Sequence, residues 1–203
     1  MNEKLVLGLI GILVLFGCTA GTEAGRTGTQ IESFENGWSE IQAIEDQQMI
    51  NLSTFVNTDP ELDLPWILDQ TKLEQVKTQI ANIQTRTQDL SLRQLTKLYL
   101  AALNAVQTGM DAEPALRVLV NLDTVNPLEV CASSVENSIG KVKEYLNELI
   151  ALTEKRNEFT ESFPEQASTA GILKFEGSIE ETQAGITAMD SVSQELKQAC
   201  NWN

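Results

Sequence analysis

Apolar residues recur along most of this chain every three or four positions, the spacing of one face of an α-helix. Ile31, Phe34, Trp38, Ile41, Ile44, Leu52 and Phe55 keep that spacing, with Gln48 as the one polar lapse, and predict a first helix. Gly37 weakens that helix without breaking it. Leu73, Val76, Ile80 and Ile83 form a second stripe that continues to Leu90. Leu92, Leu95, Tyr99, Ala102, Leu103 and Val106 form a third, with Asp89 or Ser91 as its cap, and we read the two stripes as separate helices. Gly109, Asp111 and Pro114 mark a stop and a restart, so Ala115 to Leu122 is a short helix of its own.

Two longer stripes follow. Asn126-Pro127 places a capping residue before a proline at the first helical position. The helix it opens carries Leu128, Cys131, Val135, Ile139, Val142, Leu146, Leu149 and Leu152. The last carries Ile172, Phe175, Ile179, Thr182, Ile186, Met189, Leu196 and Cys200. Thirty residues of helix span about 45 Å. The pattern fails between them, from Pro164 to Ser168. The fold class is all-α: an antiparallel helical bundle of about five or six helices, the last two forming a long hairpin.

Cys131 and Cys200 sharpen the hairpin. In two antiparallel helices the numbers of facing residues have a constant sum. For these two it is 331, which centres the reversal between Glu165 and Gln166, immediately after Pro164. The open end of the hairpin then brings the thiols together as a structural disulfide; two buried free thiols are the alternative. No close-spaced C-x-x-C pair points to redox work.

The beginning of the chain follows a different pattern. Lys4 precedes an uncharged apolar run from Leu5 to Phe16. Signal-peptide cores run about 7–15 residues, whereas a spanning helix needs about 20. The run ends in Leu15-Phe16-Gly17-Cys18, which resembles the prokaryotic lipobox of membrane lipoproteins. The resemblance implies a signal peptide over residues 1–17 and a diacylglyceryl group on the Cys18 thiol. It also implies a place on the extracytoplasmic face of the cell membrane or outer membrane. Residues 18–30 are rich in Gly and Thr, without large apolar side chains, and read as a flexible tether. Residues 31–203 are long enough for one helical-bundle domain with a sizeable core.

Composition narrows the chemistry. Fourteen basic against 29 acidic residues give a formal charge of −15, which argues against nucleic acid, whose binding requires a basic footprint. The chain has no histidine. That removes Ser-His and Cys-His nucleophiles, His-ligated zinc and His-ligated haem. Asp59, Glu61 and Asp63 have the spacing that opens a calcium loop, but Leu64 stands where glycine is required and Gln70 where the closing glutamate would be. No metal or cofactor is implied. Asn51-Leu52-Ser53 matches the glycosylation sequon, with Asn51 free to face outward. Trp38 fits a core stripe, while Trp66 and Trp202 lie off the stripes. From Tyr99 to Pro127 the spacing of Tyr99, Ala115, Leu119 and Pro127 resembles a tetratricopeptide unit. Leu103 stands where a small residue belongs, and no second copy follows, so the match reads as an ordinary helical hairpin.

These observations favour a non-enzymatic, lipid-anchored envelope protein that presents a helical surface to an envelope protein partner. A small-ligand-binding lipoprotein is the alternative, and a carboxylate-based envelope enzyme ranks third. An apolar cavity with converging polar groups marks the second reading, and an exposed apolar patch on a smoothly packed bundle marks the first.

Overall fold

The structure, a computed structural model, describes residues 30–58, 69–120 and 133–200. Seven helices lie among them: α1 (Phe34–Gln48), α2 (Leu52–Val56), α3 (Gln70–Arg86), α4 (Leu90–Val120), α5 (Ser133–Ser162), α6 (Pro164–Thr169) and α7 (Ile179–Cys200). The fold is an all-α bundle. Several expectations fall on residues outside this set: the signal segment, Cys18, Asp59 to Asp63, Trp66, Asn126-Pro127, Leu128, Cys131 and Trp202. Among the described residues no helix is long and apolar enough to cross a membrane.

The first stripe makes two helices rather than one. Ser33 caps α1 by accepting from the Asn36 N–H. The helix ends at Met49, which turns left-handed at φ 49° while its N–H reaches the Asp46 carbonyl. Asn51 then caps α2 through bonds from the Ser53 N–H and hydroxyl. Leu52 and Phe55 stay buried because α2 folds back onto α4, not because α1 continues.

Gly37 is more than a weak helix residue. A Cβ there would fall 1.9 Å from Leu92 Cδ2, so the glycine lets α1 approach α4. Trp38 is half-buried, its ring stacked 6.3 Å from that of Phe34.

Asp69 caps α3 by accepting from the Thr71 and Lys72 N–H groups, and Leu73, Val76, Ile80 and Ile83 are all buried. The stripe stops there, because Leu90 is 60% exposed. Asp89 caps α4, accepting from the Leu92 N–H at 2.8 Å and the Ser91 hydroxyl at 2.6 Å.

α4 does not stop at Gly109. It runs through Pro114 to Val120 as one helix. Proline forfeits one helical hydrogen bond and costs about 3 kcal/mol in a helix interior. Burial of Ala105, Ala112 and Ala115 along one face holds the helix across it. The helical hairpin read between Tyr99 and Pro127 is thereby overturned as far as Val120, since it needs a turn between two helices where α4 has none.

α4 is the central element, packed on α5 most extensively and also on α1, α2 and α3. The core between them includes Ile41, Leu52, Leu73, Ile80, Leu92, Leu95, Tyr99, Leu103 and Leu149.

α7 packs on α5 as an antiparallel hairpin. Lys143 pairs with Asp190, and Lys197 with Glu136 at 2.8 Å. The last helix begins at Ile179, seven residues later than the stripe implies. Side chains hold the intervening backbone out of a helix. The Asn57 amide donates to the Gly171 carbonyl at 2.8 Å and accepts from the Leu173 N–H at 3.0 Å. Asn157 accepts from the Phe175 N–H at 2.8 Å. The buried Arg156 completes this joint. Its guanidinium donates to the Val56 carbonyl at 2.9 Å and lies 4.9 Å over the Phe175 ring.

Candidate functional site: a cleft between α4 and α5

The first two turns of α4 and the last two of α5 bound a half-open cleft of about 500 Å³. The lining residues repeat at helical spacing on both walls. Leu90, Gln94, Lys97 and Leu98 come from α4; Lys155, Glu158, Phe159 and Ser162 come from α5, with Phe163 just beyond it. Antiparallel packing sets Leu90 near Phe163 at one end and Lys97 near Lys155 at the other.

The floor is apolar. Leu98 and Phe159 are buried, and the Phe159 and Phe163 rings meet at 5.6 Å with a 40° tilt. Leu90 forms an apolar lip. The rim carries two ammonium groups, one carboxylate, an amide and a hydroxyl. Salt bridges elsewhere among the described residues engage Lys77, Arg86, Lys143, Lys174 and Lys197, but Lys97 and Lys155 make none there. Excess positive charge over an apolar floor suits an anion with an apolar body. The set holds no nucleophile paired with a base.

A second, shallower groove of about 530 Å³ lies between the end of α1 and the start of α3. Gln47, Gln48, Gln75 and Gln79 give it an amide character, with Glu74 its one charge.

Acidic chemistry is sparse. Burial holds the Glu45 carboxyl above the usual range, although the Leu52 N–H donated to it at 2.6 Å and pulls the other way. Burial also pushes the Tyr99 phenol upward, with the nearby Glu45 charge adding to the shift. No cluster of three metal-ligating side chains occurs among the described residues.

Of the residues singled out from sequence, Cys18 and Cys131 lie outside the described set. Cys200 ends α7, with its side chain not described. Asn51 is exposed, but its side chain is engaged as a helix cap. The cleft residues were not anticipated. The sequence stripe on α5 reads as far as Leu152, and Phe159 and Phe163, one turn apart with Lys155 one turn before them, extend it. No protein-family model, curated protein or solved structure matches this chain.

Proposed function

We propose that this chain is a non-enzymatic, lipid-anchored binding protein on the extracytoplasmic face of the cell envelope, and that its ligand occupies the α4–α5 cleft. The Leu15-Phe16-Gly17-Cys18 sequence supports the anchor, and Cys131 with Cys200 supports a disulfide closing the α5–α7 hairpin. The observation that carries the reading is the cleft itself, an apolar floor with polar groups converging on its rim. It weighs more than a protein-docking surface because the exposed large apolar residues among the described ones, Met49, Leu90, Leu173 and Val192, each sit on a different element.

Native mass spectrometry of the protein recovered from its own membranes tests this. The expected result is an adduct of constant mass, diminished in a Gln94→Trp variant that fills the cleft. A wild-type protein without any adduct, even after incubation with host extract, would overturn the reading. Cys18→Ala is expected to leave the membrane fraction; retention there would overturn the anchor.

A further inference from the structure

Resting on that reading, we infer that the cleft takes a single-chain anionic amphiphile, a long-chain fatty-acid carboxylate, with its head between Lys97 and Lys155 and its tail running out past Leu90 and Phe163. Four observations converge on it. First, the cleft is graded in polarity. Lys97 lies two turns, about 10 Å, along α4 from Leu90, and Lys155 lies the same way along α5 from Phe163. One end therefore carries the two ammonium groups and the other the Leu90 and Phe163 side chains, with Leu98 and Phe159 flooring the length between and Ser162 on the rim beside Phe163.

Second, the charges select a monoanion. Two ammonium groups against the Glu158 carboxylate leave one positive charge in a protein whose formal total is −15. A monoanionic head neutralises it, while a neutral head leaves it uncompensated.

Third, about 500 Å³ lies within the range of about 300–1,000 Å³ that encloses one small ligand, and suits one acyl chain better than two.

Fourth, the apolar end has a direction. The Ile31 N–H donates to the Arg86 carbonyl at 3.1 Å, and the Gln88 N–H donates to the Ile31 carbonyl at 3.1 Å. Gln30, the first described residue, thus enters the domain at the α3–α4 connection, which leads into Leu90. A flexible tether leading from an anchor on Cys18 would therefore attach at the apolar end of the cleft and leave that end free to meet a bilayer, where fatty acids are drawn from or delivered.

The test is photo-crosslinking of the lipidated full-length protein, held in phosphatidylcholine nanodiscs, with a diazirine-bearing palmitate analogue. Saturable labelling of residues 90–98 and 155–163 is expected, competed by palmitate and not by hexadecanol. Lys97→Ala with Lys155→Ala should raise the half-saturating concentration at least about tenfold, the scale of losing one charge-assisted contact. Both lysines are exposed, so the variants should fold, which a thermal melt checks. Equal competition by hexadecanol, with the lysine variants unchanged, would overturn the carboxylate assignment. Stronger competition by lysophosphatidylglycerol than by palmitate would also overturn it, in favour of a glycerophosphate head. Absence of saturable labelling, alongside a native adduct of another chemistry, would overturn the ligand class and leave the binding function standing. Absence of both labelling and adduct would overturn both.

Discussion

Glu136 and Lys197 form an ion pair at 2.8 Å across the α5–α7 hairpin. Their numbers sum to 333, and so do those of Lys143 and Asp190, one helical segment away. Two independent pairs thus fix a single antiparallel register. It lies two residues from the register implied by the cysteines alone. The same register sets Cys200 opposite position 133, two residues beyond Cys131.

We expect Cys131 and Cys200 to be joined by a disulfide. Peptide mapping without reductant should yield one linked peptide containing both residues. In the chain-entropy model a loop of this length contributes about 4 kcal/mol, less any strain, so reductant should lower the thermal midpoint. Two separately alkylated thiols would refute the bridge.

Two glycine substitutions should act in opposite directions. Gly37→Ala places a methyl group against Leu92 and is expected to destabilise by about 1–3 kcal/mol, despite the better helix propensity of alanine. Gly140 is exposed within α5 and has no atom within 4 Å of an added Cβ. Gly140→Ala should therefore stabilise by about 1 kcal/mol. Urea denaturation midpoints decide both, and a stabilising Gly37→Ala would show that α1 and α4 separate freely.

Tyr99→Phe should hold or raise stability. The hydroxyl is buried in the core and makes no hydrogen bond among the described residues. Leaving such a group unpaired costs about 1–3 kcal/mol, which phenylalanine avoids at nearly the same volume. A clear loss on calorimetry would mean that the hydroxyl is satisfied in solution.

Glu45→Gln should stabilise in a pH-dependent manner. Burial raises the Glu45 pKa in the folded protein, so folding favours its protonated form. An acid shifted upward supports the fold most fully below its ordinary unfolded pKa. That support is lost as pH rises from there through the raised folded value. Glutamine keeps an oxygen for the Leu52 N–H and removes the charge. The advantage of the variant should thus be larger at pH 7 than at pH 4; equal advantage at both would refute the assignment.

The stripes on α3, the first half of α4 and α5 were legible because each buries one continuous face, and periodicity reports burial directly. Other features escaped for identifiable reasons. The break at Met49 uses a left-handed methionine where glycine would have announced it. Pro114 looked like a boundary because local chemistry carries no information about the tertiary burial of Ala112 and Ala115. Ile172 and Phe175 keep helical spacing while the backbone between them is not helical, held by Asn57 and Asn157 from other elements. The cleft was hidden because Leu98 and Phe159 obey the same periodicity as core residues. Only the packing of α4 against α5 tells which apolar positions line an opening.

The pairing of Ile31 with the backbone on both sides of Thr87 has a mechanical consequence. A pull on the chain upstream of Gln30 loads two hydrogen bonds and a buried isoleucine before it reaches α1. The force passes to the α3–α4 connection and so to α4, which packs on α1, α2, α3 and α5. The domain is thus held by its spine and not by a peripheral strip that would peel.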